Sequence, residues 1–433
     1  MKTIAAASAA WLLLLPAVFG AADARTWVVE PLGTGDAPTI QAAIDSAGPG
    51  DDVLLSPGTF TGPGNRDIDF LGKAITVHSS AGPGITTIDC EGLGRGFLFV
   101  NGEAASSVLS GVRILNGSHA LFGGGVFCVN ASPTIAESVF EANHAGFRGG
   151  AVYCDTSSAV IDANTFDGND AAYGGAIACS GFSSLTITGN DFRGNEAAIS
   201  GGAVACRGSS PSIENNRFTE NTSVNEGGGL FCDEGSGPAV SSNVFSLNTA
   251  GEAGGAVSLL QSSAVLEYNF FRRNQGGLGG GVYCNNFSAG PIRYNTFDEN
   301  GAGSGSGAAV YCTNYSAPPI ANNIVANSTS GNAIETKNYS VPAIGCCCLF
   351  NNAGGDALPI GAIDSGSNFV LDPEFCGIDG SGNCFLQSDS PCAPGNTPAA
   401  SQCGQIGAFP VSCGTTLTEE KTWGAIKARY RDP

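Results

Sequence analysis

Sixteen cysteines stand in this chain, and their spacing decides what chemistry they can do. Cys128, Cys154, Cys179, Cys206 and Cys232 recur at a near-constant step. Leu259 takes the next place, Cys284 and Cys312 resume the series, and Thr336 ends it. Metal ligands converge on a point, whereas residues one repeat apart form a column. In-register side chains also hold their sulfurs poorly for the disulfide dihedral. The column therefore reads as a row of small buried hydrophobes, with Leu259 as the telling replacement. Cys346, Cys347, Cys348, Cys376, Cys384, Cys392, Cys403 and Cys413 fall outside it. In an exported chain some of these are expected to staple a C-terminal cap, with a connectivity that spacing does not give.

Cleaving a polysaccharide asks for carboxylates beside a cation or beside each other. The nearest such set places Arg207 one repeat before Asp233, with Glu234 adjacent; Arg272 and Arg273 stand similarly toward Glu299. Arg207, Asp233 and Glu234 are the catalytic candidates, against the plainer reading of ion pairs between neighbouring repeats. Asp51 and Asp52 are ordinary turn residues. Aromatic residues give a better lead. NNFSAG (285–290), TNYSAP (313–318) and KNYSVP (337–342) put Phe287, Tyr315 and Tyr339 at one position of three successive repeats. Tyr283 and Tyr311 project from the adjacent strand, and Tyr268 and Tyr294 repeat elsewhere. A stacked aromatic strip suits a sugar chain, whose apolar ring faces lie on aromatic planes while amides bond its hydroxyls. The competing reading is that these rings stack on each other to stiffen a side loop.

The elements that must carry these residues follow from the repeat. GGGVFC (123–128) returns as GGAVYC (149–154), GGAIAC (174–179), GGAVAC (201–206), GGGLFC (227–232), GGAVSL (254–259), GGGVYC (279–284) and GAAVYC (307–312). Between them Phe140, Phe166, Phe192, Phe218, Phe245, Phe271 and Phe297 follow at steps of 26 or 27 residues. Each repeat also carries an aliphatic residue, as at Ile135, Ile161, Ile187 and Ile213. Three such short segments, punctuated by Gly and Asn and lacking a 3.6-residue period, are strands. Strands this short bury nothing alone, so the repeats must stack into a solenoid, each strand pairing in parallel with its copy. Alternation turns Val152 and Cys154 inward and Tyr153 outward. Asn164 to Asn323 and Asn143 to Asn300 form two series at fixed offsets, suited to left-handed turns and to amide ladders along the axis.

Composition and ends set the compartment. Lys2, the apolar run Ile4 to Val18 and Ala22-Asp23-Ala24 have the form of a secretory signal peptide. No other segment is apolar enough to span a bilayer. A net charge of −20 disfavours nucleic acid and anionic membranes as partners. It also disfavours acidic polysaccharide unless Ca²⁺ bridges carboxylates on both sides. The expected organisation is a signal peptide (1–24), an N-terminal cap with irregular coils (25–120), regular coils (121–345), C-terminal coils with a Cys-rich cap (346–413) and a charged tail (414–433), a sorting or disordered segment.

The FxxN and GGA[ILV] pair resembles the repeat of chlamydial polymorphic membrane proteins, surface β-helices that act as adhesins. More broadly the chain resembles bacterial right-handed β-helix repeat proteins of the pectin-lyase-like superfamily. TIQAAIDSAGPGDDVLLSPGTF (39–60) is similar to the superfamily's amphipathic cap helix and first strand, and SPCAPG (390–395) with QIGAFP (405–410) to its terminal segment. The resemblance covers residues 27 to 413 and implies a right-handed parallel β-helix with three-strand coils of about 26 residues. No β-barrel translocator follows the repeats, so it implies no autotransporter route. Enzymes of the superfamily use G-H-G and R-I-K motifs or Ca²⁺-binding carboxylates, and His78, His119 and His144 lie in no such motif. The expectation is a secreted or surface monomer binding glycans or cell surfaces without catalysis. The alternative is a polysaccharide lyase or glycoside hydrolase.

Overall fold

A computed structural model of the protein describes residues 24–378, 384–398 and 403–413. Nearly all of the expected signal peptide and the whole charged tail lie outside these residues. The chain winds as a right-handed parallel β-helix. One coil runs through Val152–Asp155, Val160–Asp162, Thr165–Asp167 and Asp170–Tyr173. Each strand pairs in parallel with its copy one coil on. Cys154 faces Cys179, Ile161 faces Ile187 and Phe166 faces Phe192. The GGxVxC strands build an 11-stranded sheet, the aliphatic strands a 14-stranded one and the Phe strands a 12-stranded one.

The sequence pattern misses a fourth, 8-stranded sheet formed by the segment after each FxxN asparagine. Its inward column is small (Ala145, Ala171, Ala197, Ser223, Ala250, Gly276 and Ala302) and its few large apolar residues fall at no fixed step, so the apolar pattern does not separate it from a turn. This sheet matters because it lies beside the outer face of the GGxVxC sheet. Tyr153 does turn away from the core, yet Phe122 stacks on it at 4.6 Å and leaves it 4% exposed. The glycine pair that opens each GGxVxC segment fits the corner. Gly149 has φ +66°, and a Cβ on Gly150 would stand 2.2 Å from the Gly175 carbonyl oxygen.

The core is a set of ladders. Seven phenylalanines from Phe140 to Phe297 stack face to face, with centroids 4.5–5.1 Å apart and planes within 6–11°. All are fully buried, as are the column cysteines. Both asparagine series are ladders too: Asn190 Nδ2 donates to Asn216 Oδ1, and Asn216 Nδ2 to Asn243 Oδ1, each at 3.0 Å. A helix, Ile40–Ser46, covers the first coil with Ile40, Ala43 and Ile44, and its Thr39 side chain accepts from the Ala42 amide. At the other end Cys346 and Cys403 are joined by a disulfide. Its segment folds back along the flank of the helix: Asn322 Nδ2 donates to the Cys403 carbonyl, and the Ala408 amide to Thr296 Oγ1 at 2.9 Å.

Candidate functional site

Phe287, Tyr315 and Tyr339 share one turn, the four residues after the GGxVxC strand. Asn286, Asn314 and Asn338 precede them, with φ of 55°, 52° and 49°. The aromatic residues themselves have φ of 65°, 64° and 63°. Two consecutive left-handed residues form a primed turn, which normally takes Asn followed by Gly. The coil at Asp233 shows that preference, with Gly235 in the aromatic's place at φ +78°. A Cβ in this region costs roughly 1–2 kcal/mol. Ser288, Ser316 and Ser340 close the turns: the Ser288 amide donates to Ser316 Oγ, and the Ser316 amide to Ser340 Oγ, at 3.1 and 3.0 Å. This serine ladder holds the three turns in register and was not read from the sequence.

The three rings form one parallel stack. Phe287 and Tyr315 lie 5.2 Å apart at 7°, Tyr315 and Tyr339 5.3 Å apart at 13°. They are 64%, 53% and 80% exposed, respectively. Beside them Asn314 Nδ2 donates to Asn285 Oδ1, and Asn338 Nδ2 to Asn314 Oδ1, at 2.9 and 3.1 Å. Large apolar surfaces are thus held in water on a costly backbone, flanked by amides.

The other aromatic candidates do not join this stack. Tyr283 and Tyr311 stack on each other at 5.9 Å but are only 6% and 8% exposed. They pack with Ala253 and Leu278 of the fourth sheet, which covers the face on which the sequence placed them outward. Burial pushes the Tyr283 phenol up to about 12. Tyr268 and Tyr294 form a separate pair at 5.0 Å and 5°, also left-handed, on the turn before the first asparagine ladder. Phe182 occupies the same turn position as Phe287 in an earlier coil, at φ +60° and 91% exposed. It was not read from the sequence as a candidate, although SGFS (180–183) matches NNFS (285–288) at this turn.

The charged candidates fall in a different place. Arg207 and Asp233 are paired in backbone register, but the guanidinium binds Glu234 instead. Asp233 lies half-buried between strands, near Arg207, Arg148 and Tyr173. Burial raises its carboxyl to about 6, against the opposing pull of Arg207. The space beside it is about 10 Å³, room for one water at most. Arg272 and Arg273 both reach Glu299, at 3.0 and 2.6 Å. Arg272 and Asp298 are buried beneath the returning C-terminal segment, where Cys384 Sγ meets Asp298. That pair is architectural.

Residues 174–348 match the family model of the right-handed β-helix region, and residues 63–253 that of the periplasmic copper-binding protein NosD. No curated protein matches the sequence. Among solved structures the chain is similar to the PL6-family alginate lyase AlyGC, at 14% identity and TM-score 0.47, over 90% of this chain and 58% of that one. It is also similar to the catalytic domain of a GH87 alpha-1,3-glucanase in complex with tetrasaccharides, at 13% and 0.44, over 76% and 67%. The pectate lyase Pel9A aligns at 15% and 0.39, over 90% and 96%. The chain spans about three fifths of the length of the alginate lyase. These likenesses concern the coiled architecture. Among the described residues no three His, Cys, Asp or Glu side chains converge on a point. The column thiols are buried, several of them side by side.

Proposed function

We propose that this is an extracytoplasmic β-helix protein that binds glycan chains, without cleaving them, through Phe287, Tyr315 and Tyr339. One observation carries the reading. Three exposed aromatic residues occupy, coil after coil, a left-handed turn position that an equivalent coil gives to glycine. Left-handed non-glycine residues recur at other turns of the solenoid, as at Ala142, Ala163 and Leu247, so what sets these three apart is that they are exposed aromatics in one stack. Stacking among the rings recovers part of the cost, about 0.5–1.5 kcal/mol per contact, but it does not require that the rings stand in solvent. Sugars supply the missing partner, since they combine apolar ring faces with hydroxyls that amides can bond. An exported location is supported by the signal-like N-terminus and by the match to a periplasmic family. A screen of the full chain on a glycan array, beside a variant with all three residues replaced by Ala, tests the reading. Binding by the parent and not by the variant supports it; equal binding by both defeats it.

The enzyme reading retains one observation in its favour. A carboxyl near 6 between two arginines is the kind of group that moves protons at neutral pH. Against it, among the described residues no second carboxylate lines the space of about 10 Å³ beside Asp233, whereas glycosidic cleavage needs two across a substrate-sized cleft. Release of unsaturated or reducing oligosaccharides by the parent, lost in Asp233→Asn, would establish the enzyme instead.

A further inference from the structure

The stack has two ends, and they differ. In a parallel stack the inner ring lies with both faces against its neighbours, so Tyr315 offers a ligand mainly its edge. Tyr339 ends the stack among the described residues, and its far face is open. Tyr339 also lines a cavity of about 690 Å³, within the size range of sites for small ligands. The cavity exists because the sheets end unevenly. The GGxVxC and Phe sheets stop on one coil, at Asn332–Thr336 and Cys348–Phe350, whereas the aliphatic sheet continues one coil further, to Ile363–Gly366. The place of one further GGxVxC strand is thus left open, roofed by the loop through Ala357, Leu358 and Pro359.

We propose that this cavity receives the terminal residue of a neutral glycan chain, with that sugar stacked on Tyr339 and the chain leading off along Tyr315 and Phe287. The inference rests on the glycan-binding reading and specifies it. The lining has the two-sided character a sugar ring requires. Tyr339, Val341 and Leu358 give apolar surface, and Asn338, Ser340 and Glu335 give polar atoms. Asn338 ends its amide ladder, and among the described residues no donor takes its Oδ1, which leaves it to accept from a hydroxyl. The ligand's neutrality follows from charge. Lys337 Nζ lies 2.9 Å from Glu335 Oε1, and the Glu335 carboxylate also accepts from the Asn332 amide. The only cation in the lining is therefore already matched, and a chain of net charge −20 does not attract a uronate. The loop from Ala357 to Gly361 lines the cavity together with Tyr339, and in this proposal it is the stop that makes the occupant a chain end and not a passing segment.

The test uses the full chain and four neutral series, the malto-, cello-, laminari- and chito-oligosaccharides, by calorimetry and by ligand-observed NMR. End capture gives one protein per sugar chain, with molar affinity independent of chain length beyond a few residues. Tyr339→Ala and Ala357→Trp, the second filling the cavity from an exposed loop position, each weaken binding about ten-fold or more. A ratio of proteins per chain that rises with length would overturn the proposal, because it marks internal binding. Unchanged affinity in Ala357→Trp while Tyr315→Ala weakens binding would overturn the cavity and leave the stack reading standing. Failure of all four series with the parent protein overturns the neutral chain-end proposal, and a blank glycan array as well sinks the stack reading. Occupancy of the Ile334 and Thr336 edge by an added Thr-Val hexapeptide, with no sugar bound, would instead mark a strand-addition site.

Discussion

Replacing Asn216 with Leu should cost about 3–5 kcal/mol, although the residue touches neither the surface nor a ligand. Asn216 is fully buried in the first asparagine ladder. Its Oδ1 accepts from the backbone N–H and the side-chain amide of Asn190, at 2.9 and 3.0 Å. Its Nδ2 donates to the carbonyls of Ile187 and Glu214 and to Asn243 Oδ1, at 2.8, 3.0 and 3.0 Å. Leucine fills similar space and removes all five bonds. The losses are unequal. The Asn190 side chain keeps the carbonyls of Ile161 and Thr188, and Asn243 Oδ1 keeps the Asn216 backbone amide. The Asn190 backbone N–H keeps nothing, and an orphaned buried donor costs about 1–3 kcal/mol. The remaining bonds add about 0.5–1 kcal/mol each where the partner retains another contact. Urea unfolding followed by far-UV circular dichroism measures the shift. Thr222→Ala, at an exposed site in the same coil, serves as the control and should stay within about 0.5 kcal/mol. A loss below about 1 kcal/mol for Asn216→Leu would refute the claim that the ladders hold the coils in register.

Further predictions follow from the same geometry. Asp233 carries a folded-state carboxyl of about 6, above its unfolded value. Between roughly pH 4 and 6 the folded state therefore binds more protons, and stability falls as pH rises through that window, levelling off above it; Asp233→Asn should flatten this dependence in a pH series of thermal melts. The column thiols from Cys128 to Cys312 are buried, so iodoacetamide should leave them unmodified in the native protein and label them all in denaturant; native labelling of any of them would contradict the packing. Cys403→Ser removes the link to Cys346 across 57 residues and should destabilise the C-terminal segment by about 2–4 kcal/mol, visible as earlier proteolysis after residue 345 with the regular coils intact. Phe182→Gly removes a left-handed aromatic that is 91% exposed, and should leave stability unchanged or raise it by up to about 1 kcal/mol in thermal melts.

The β-helix was legible because its physics is one-dimensional. Inward Phe, Cys, Ile and Asn must match their copies one coil away, so each ladder writes itself into the sequence as a fixed step. The fourth sheet was not legible. Its pairing rests mainly on backbone groups, and outward residues such as Asp170, Glu196 and Thr249 carry no periodic signal. That omission explains why Tyr283 and Tyr311 looked exposed in the sequence and are covered in the structure. The stack of Phe287, Tyr315 and Tyr339 was visible as a recurring motif, whereas its left-handed backbone was not, since Asn-Tyr does not announce a primed turn as Asn-Gly does. The cavity beside Tyr339 was out of reach altogether. It arises because the aliphatic sheet runs one coil past the GGxVxC and Phe sheets, a property of where the repeat degrades and not of the repeat itself.

The central claim, that the exposed aromatic stack is a glycan-binding surface, is tested most directly by calorimetric titration. A sugar selected by array would be titrated into the full chain and into the variant with Phe287, Tyr315 and Tyr339 all replaced by Ala. The account predicts measurable binding to the parent, a loss of about ten-fold or more in the variant, and no sugar cleavage by either protein. Equal affinity for the two proteins, or steady release of unsaturated product by the parent, would contradict it.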